Sequence, residues 1–204
     1  MQIDHRTLNM QHFFIIIFLL ISTLSWCQSD LLADSKTAQE NLNESFTNPE
    51  KSILRPEDFE VFNGLEFYPL NEKYIIKAEF VRTPDEKPFL MPTTTERLPE
   101  YVKYGEARFT LDDTKVVLSL YQSTEANSDY LFLPFTDLTS GDGSYGGGRY
   151  LDFEIIEGPT ITIDFNKAYN PYCAYNPRYS CPIPPEENDI PLRIEAGVKD
   201  FEMN

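Results

Sequence analysis

Beyond Phe59 the chain consists of short runs rich in Val, Ile, Tyr, Phe and Thr, separated by clusters of Pro, Gly, Asp and Asn. Such runs are typical of β-strands, because branched and aromatic side chains pack well on a pleated surface and the intervening residues favour turns. No long helical pattern alternates with them, so a doubly wound α/β fold is not expected. The predicted strands are Tyr74–Arg82, Phe89–Thr94, Tyr101–Leu111, Val116–Tyr121, Tyr130–Phe135, Tyr150–Ile156, Ile161–Asn166 and Leu192–Ala196.

This pattern predicts an all-β fold, an antiparallel small barrel or sandwich. Many short strands must each bury one face and leave few edges exposed, and closure of the sheet achieves both. Residues 112–115 and Glu157-Gly158-Pro159 each separate two apolar runs, so each is predicted to turn a hairpin. Near the C-terminus, the proline-dense residues 170–188 are predicted to form an irregular loop.

The N-terminal region contains a continuous apolar run over residues 13–25. The run is too short for a membrane-spanning helix, which needs about 20 apolar residues, and it resembles the core of a secretory signal. We therefore predict a signal peptide over residues 1–27, a polar flexible tether over 28–58 and a single β domain over 59–204. The protein is expected to be exported, periplasmic or extracellular; membrane anchoring through the N-terminus or a lipidated Cys27 is the alternative.

The net charge and the histidine content of the chain exclude several classes of function. The chain has 33 Asp plus Glu against 17 Lys plus Arg, a net charge of -16, which excludes a nucleic-acid backbone as partner. Membrane contact is expected only through the N-terminal segment. Both histidines, His5 and His12, lie in the predicted signal peptide, so the mature chain can build neither a Ser-His-Asp triad nor a histidine zinc site. No cofactor and no metal is expected.

A glycine-rich segment over residues 141–148, GDGSYGGG, fits the GxGxxG pattern of dinucleotide-binding loops. A helix must follow such a loop to bind the pyrophosphate, whereas here a strand follows, so a mobile or tightly turned loop is the better interpretation. The glycines beside Tyr145 and Arg149 would still let a ligand approach the backbone.

The two runs that flank Glu157-Gly158-Pro159 carry the catalytic hypothesis. If they pair with apolar residues opposite apolar residues, Asp164 lies opposite Asp152 or Glu154. Facing acids are either screened by solvent, bridged by a cation such as Arg149 or Lys167, or share a proton or metal. Two carboxylates can divide acid and base roles, as in glycoside hydrolysis, while a solvated polar face with ordinary pKa values is the alternative.

The proline-dense loop contains Cys173 and Cys181. In an exported protein a disulfide between them is the first expectation, and a structural zinc site lacks its further ligands. The same region is rich in tyrosine, and these rings either line a pocket or sugar platform or pack the loop onto the barrel. The tyrosines are Tyr169, Tyr172, Tyr175 and Tyr179.

Three blocks of the chain resemble the uncharacterised bacterial domain-of-unknown-function family sixteen eighty-four. They are Phe62–Phe80, Thr136–Ile155 and Ile163–Gly197. Longer relatives carry another region ahead of the first block, where this chain has only the predicted tether. The resemblance implies no activity.

Three hypotheses for function follow. In the first, the exported domain binds a small or glycan-like ligand through Tyr145, Arg149, Asp152, Asp164, Asn166 and Tyr169. In the second, it is a hydrolase with Asp152 and Asp164 as acid and base and Arg149 as an anion stabiliser. In the third, it is a purely structural envelope protein in which Arg149 forms a buried pair with Asp152 or Asp164. The sequence predicts no oligomeric state.

Overall fold

The structure, a computed structural model, describes residues 31–125 and 129–201. The predicted signal peptide over residues 1–27, with Cys27, lies outside this part of the chain. Among the described residues, no helix combines the length and the apolar character needed to cross a membrane.

Strands dominate the described chain, and the all-β prediction is confirmed. Two helices, α1 over residues 31–47 and α2 at Pro56–Phe59, precede the sheet. The strands are β1 Ile75–Arg82, β2 Phe89–Leu90, β3 Glu100–Leu111, β4 Thr114–Ser123, β5 Tyr130–Asp137, β6 Arg149–Glu154, β7 Thr160–Asp164 and β8 Asp189–Ile190. Single 3-10 turns lie at Glu72–Tyr74, Phe165–Lys167, Tyr172–Ala174 and Glu186–Asn188. The predicted strand Leu192–Ala196 is irregular, because several of its backbone hydrogen bonds go to the side chains of Asp137 and Arg149 and not to a strand.

The sheet is mostly antiparallel and curls into a half-barrel with the strand order β6-β5-β4-β3-β1-β7. β2 pairs with β3, and β8 runs parallel to β5. The predicted β6–β7 hairpin is wrong, because β6 pairs with β5 and β7 pairs with β1. In the pairing with β1, the apolar residues of β7 still lie opposite apolar residues, since Ile163 faces Ile76 and Ile161 faces Ala78.

The main core fills the concave side of the curled sheet. It is built from alternate residues of the central strands, such as Leu118 and Leu120 of β4 and Leu131 and Leu133 of β5, all of them fully buried. A second cluster, which includes Tyr121 and Cys181, packs the proline-dense loop onto the opposite face of the sheet. Both faces of the central strands are therefore covered, which explains their nearly continuous burial.

Residues 31–47, predicted as part of a flexible tether, are instead a packed helix. Ser35 and Phe46 are buried, and Gln39 donates a hydrogen bond to the Asn166 carbonyl at 2.8 Å. Asn43 Oδ1 accepts from the Leu65 amide at 2.7 Å. These positions recur every three or four residues and so share one side of the helix. The sequence shows no amphipathic pattern for this helix, because Ser, Gln and Asn occupy much of its packed face in place of apolar residues.

Candidate functional site

A groove lies between β6 and β7, the two ends of the strand order, and we call it the seam groove. Its volume is about 710 Å³, and α1 contributes Leu31 and Asp34 to its wall. The remaining lining mixes apolar and polar residues, which are Ile75, Leu151, Asp152, Phe153, Thr162, Asp164, Lys167 and Tyr169. The curling of the sheet therefore brings Asp152 and Asp164 to one groove without any hydrogen-bonded pairing of their strands.

Asp152 and Tyr169 form the polar pair of the seam groove. The Tyr169 hydroxyl donates to Asp152 Oδ2 at 2.6 Å, and reciprocal backbone hydrogen bonds between Tyr150 and Tyr169 hold the ring beside β6. Asp152 is open to solvent on one side, but the surrounding protein removes enough water to raise its pKa, against the opposing effect of the Tyr169 hydrogen bond. Burial, together with the adjacent carboxylate, raises the pKa of Tyr169. The tyrosine therefore stays a protonated donor.

Asp164 has a different environment, because its carboxylate is already occupied. Oδ1 accepts from the Asn166 amide and side chain at 3.0 and 2.9 Å, and Oδ2 accepts from Ser35 at 2.6 Å. Lys167 Nζ lies 3.8 Å from the same Oδ2 atom. Asp164 thus caps the turn Phe165–Lys167 and anchors α1.

Asn166, another predicted ligand residue, is also a structural anchor. Its side chain exchanges two hydrogen bonds of 3.0 Å with the backbone of Asn71, and its carbonyl accepts from Gln39. It is buried, and it lines an adjoining cavity of about 310 Å³ beside α1, which shares Lys167 and Tyr169 with the seam groove.

Arg149 is fully buried, and its partner is Asp137, whereas the structural hypothesis expected Asp152 or Asp164. Arg149 NH2 lies 3.1 Å from Asp137 Oδ1, and the guanidinium also donates to the carbonyls of Ile194, at 2.8 Å, and Ala196. Burial lowers the pKa of Arg149, although Asp137 opposes the shift. A side chain enclosed in this way has no access to a ligand.

The strand alternation already carried a signal for this placement of Arg149. Arg149 lies two residues before Leu151, so in a strand it shares the inward face of that leucine, while Asp152 lies on the other face. The buried acid that it needs, Asp137, was missed because nothing local in the sequence distinguishes it from an exposed turn aspartate.

Asp137 organises the glycine-rich loop. Its carboxylate accepts from the Thr139 amide at 3.1 Å and from the Ile194 amide at 2.7 Å. Thr139 in turn shares a hydrogen bond of 2.8 Å with the buried Ser144 hydroxyl. The loop is therefore tightly turned and packed onto the chain around Ile194.

Tyr145 and the two cysteines lie together, apart from the lining of the seam groove. The Tyr145 hydroxyl is 4.0 Å from Cys173 Sγ, and the Cys173 amide donates to Cys181 Sγ at 3.2 Å. Both cysteines are free thiols, so the predicted disulfide is not present in this structure. Neighbouring backbone places the two sulfur atoms close together without joining them.

The predicted tyrosine platform divides into separate contacts. Tyr175 packs edge-on against Phe46 of α1 with ring centroids 4.5 Å apart, so it holds the helix. Tyr172 and Tyr179 contact each other at 5.3 Å. Among these four tyrosines, only Tyr169 lines the seam groove.

Comparison with known proteins places this geometry in a family. A family model described as a protein of unknown function (DUF1684) matches residues 60–199, which confirms the resemblance seen in the three sequence blocks. The solution NMR structure of an uncharacterized protein from Haloarcula marismortui is similar, with 31% identity and a TM-score of 0.66. The match covers 87% of this chain and 96% of that one. No curated protein matches.

Proposed function

We propose that this chain, which belongs to the protein family of unknown function DUF1684, binds a small hydroxyl-bearing ligand in the seam groove. The observation that carries this proposal is the pairing of Asp152 with Tyr169 on the wall of a groove of about 710 Å³. Binding sites for small molecules are typically concave and mostly apolar, with a few convergent polar groups. The seam groove has this composition.

The chemistry of the lining favours a ligand that donates hydrogen bonds. Asp152 Oδ2 accepts a hydrogen bond from the Tyr169 hydroxyl, whereas Asp152 Oδ1 accepts none within the described chain. Oδ1 can therefore accept a hydrogen bond from a ligand hydroxyl. Ile75 and Phe153, which are both partly exposed, provide an apolar surface on which a sugar ring can lie. This combination of groups supports the proposal of a glycan-like ligand, the class expected from the sequence.

The hydrolase hypothesis receives less support from the same geometry. An acid and base pair needs two carboxylates that can exchange protons with substrate and water. Asp164 already accepts from Ser35 at Oδ2 and from Asn166 at Oδ1, so a proton taken by this carboxylate would compete with hydrogen bonds that hold the fold. Binding without turnover is therefore the function we propose.

A purely structural envelope protein is the second candidate, and the buried Arg149–Asp137 pair favours it. Arg149, the most deeply buried charged residue of the predicted site, stabilises the fold through this pair and does not face a ligand. The two candidates differ in one respect, since only a binding protein needs Asp152 and Tyr169 for a ligand-dependent change.

We also propose that residues 1–27 direct export, which would place the Cys173 and Cys181 thiols in an oxidising compartment where a disulfide can form. Fractionation of cells that express the full chain, beside a variant lacking residues 13–25, tests this proposal. Recovery of both proteins in the same cytosolic fraction would contradict it.

The ligand proposal is tested by thermal shift and calorimetry with neutral mono- and disaccharides, with spermidine as a cationic comparison. A saccharide is expected to raise the melting temperature of the wild type. Asp152→Asn and Tyr169→Phe should each weaken its binding by roughly tenfold or more, because each removes a charge-assisted hydrogen-bond group from the groove.

Glu154→Gln is the matched control, because Glu154 is an exposed acid on the same strand and the same face, outside the groove lining. It should bind the saccharide like the wild type. Equal weakening in Glu154→Gln and Asp152→Asn would contradict the proposed site. If no saccharide shifts the wild type, the structural candidate is favoured; a shift by spermidine alone would replace the hydroxyl-bearing ligand with a cation.

A further inference from the structure

The backbone holds Cys173 and Cys181 together from two separate elements. Cys173 lies in the short turn Tyr172–Ala174. Cys181 lies on an extended segment that exchanges hydrogen bonds with Thr94, whose amide donates to the Cys181 carbonyl at 2.9 Å and whose hydroxyl accepts from the Cys181 amide at 3.2 Å. The Cys173 amide then donates to Cys181 Sγ at 3.2 Å. Two independently anchored segments thus bring Cys173 and Cys181 into contact.

The two thiols differ in access to solvent. Cys181 is only 6% exposed and belongs to an aromatic cluster that contains Tyr101 and Tyr150. Cys173 is half-buried, and its sulfur lies 4.0 Å from the Tyr145 hydroxyl of the glycine-rich loop. A soluble reagent therefore reaches Cys173 before it reaches Cys181.

The surroundings also favour a thiolate at Cys173. Hydrogen bonds from the Cys181 thiol and then from Tyr145 and Thr94 lower the pKa of the Cys173 thiol, against the effect of burial. Hydrogen bonding to Cys173, followed by burial, raises the pKa of Cys181. These opposite directions make Cys173 the thiol of the two that loses its proton more readily.

We propose that Cys173 and Cys181 are a reversible dithiol–disulfide centre in which Cys173 is the attacking thiol and Cys181 the resolving thiol. The centre is distinct from the seam groove and does not depend on the ligand proposed there. A disulfide with a purely structural role would not require this difference in access between its two sulfur atoms.

The reaction with a low-molecular-weight disulfide, such as oxidised glutathione, balances in two exchanges. The Cys173 thiolate attacks one sulfur of the reagent, a Cys173–glutathione disulfide forms, and one glutathione thiolate leaves. Cys181 then attacks Cys173 Sγ, its proton passes to the second departing glutathione, and the internal disulfide remains. The protein loses two electrons and two protons overall, and oxidised glutathione becomes two reduced molecules.

The experiment uses the full chain in a Cys27→Ser background, since the chain has three cysteines and only two belong to the centre. Oxidised glutathione is added at neutral pH, and trapped products are followed by mass spectrometry. The two-cysteine protein should form the internal disulfide with only transient glutathione adduct. Adding Cys181→Ser should make the adduct at Cys173 accumulate, while adding Cys173→Ser should slow modification by roughly tenfold or more because Cys181 is buried.

Reversibility is measured by equilibrating the folded two-cysteine protein in glutathione buffers from oxidising and from reducing starting states. The proposal expects both directions to converge on the same fraction of disulfide. A disulfide that resists reduction until the protein unfolds would establish a structural bond and overturn the proposal. Equal adduct rates in the two single-cysteine proteins would overturn the assigned roles, and a stable glutathione adduct on the two-cysteine protein would overturn the internal pairing.

Discussion

The Ser35 hydroxyl donates a hydrogen bond of 2.6 Å to Asp164 Oδ2, which joins residues 129 positions apart in the chain. Ser35 lies in α1 and Asp164 ends β7, so the contact fastens the helix beside one wall of the seam groove. Both residues are buried, and the hydrogen bond satisfies a charged acceptor that would otherwise be costly to bury.

Ser35→Ala should therefore lower the free energy of unfolding by about 1–3 kcal/mol, because it leaves a buried carboxylate oxygen with one donor fewer. Urea denaturation followed by circular dichroism measures the change. Ser45→Ala is the control, since the Ser45 hydroxyl donates within its own helix, to the Leu42 carbonyl. Equal losses in the two variants would show that the link to β7 adds nothing.

Arg149→Met should destabilise the protein by about 3–5 kcal/mol, because it leaves Asp137 buried without its cation and several carbonyls without a donor. Arg193→Met offers a comparison at an exposed arginine, which lies 2.7 Å from Asp142 Oδ2 and also donates to the carbonyls of Leu138 and Asp142. Because solvent screens this exposed pair, that change should cost much less stability than Arg149→Met does. Denaturant unfolding of both variants measures the difference, and similar midpoints would contradict the importance of the buried pair.

Gly148→Ala should be poorly tolerated. Gly148 has φ +87°, and a Cβ atom there would lie 2.5 Å from the Phe135 carbonyl oxygen, which belongs to the paired strand β5 and cannot easily move. We expect a loss of about 2–4 kcal/mol in stability. Gly158→Ala, with no neighbouring atom within 4 Å, should change stability by less than about 0.5 kcal/mol. A melting temperature for Gly148→Ala equal to that of Gly158→Ala would refute this expectation.

Glu106 should contribute a pH-dependent part of the stability. A bulge near Lys103 in β3 places both Lys103 and Arg108 beside its carboxylate, at 2.6 and 2.7 Å, and their hydrogen bonds lower its pKa. A lowered folded-state pKa stabilises the protein above the unfolded value of about 4.3, and this stabilisation is lost as the pH falls through the folded value.

Glu106→Gln should accordingly cost about 1 kcal/mol at pH 7, and the difference from wild type should shrink as the pH falls below about 4. Urea midpoints measured from pH 7 to pH 3 follow this change. Glu154→Gln, at an exposed strand position, should show a small difference at every pH. A Glu106→Gln difference that grows on acidification has the wrong sign for this interpretation.

The sequence predicted the strands well and their partners in part. The hairpin predicted at residues 112–115 joins β3 to β4, whereas the predicted β6–β7 hairpin is wrong. The expected run Tyr101–Leu111 appears as Glu100–Leu111, and Tyr130–Phe135 appears as Tyr130–Asp137. Alternation of apolar side chains is a local property, so it marks the strands themselves. Strand pairing depends on which edges meet when the sheet curls. β7 pairs with β1, which is distant in sequence, and there its apolar residues also lie opposite apolar residues.

The candidate site was predicted in part. Asp152, Asp164 and Tyr169 do line one groove, whereas Arg149, Asn166 and Tyr145 do not. The contribution of α1 was missed because its packed face includes Ser35, Gln39 and Asn43, and polar residues at helical spacing look the same whether they bind a neighbouring strand or water.

By itself the sequence determined the β class and the positions of the main strands, because branched, aromatic and turn residues act on the local backbone. It also determined the membership of the family, because long blocks of sequence can be compared without a structure. Only the tertiary structure decided that β6 and β7 lie at opposite ends of the strand order, that Arg149 binds Asp137, and that α1 is fastened by Asp164. Each of these outcomes joins residues that are distant in sequence or dispersed among unremarkable neighbours. Which residues pair depends on the curvature of the sheet and on the free-energy cost of burying an unpaired charge.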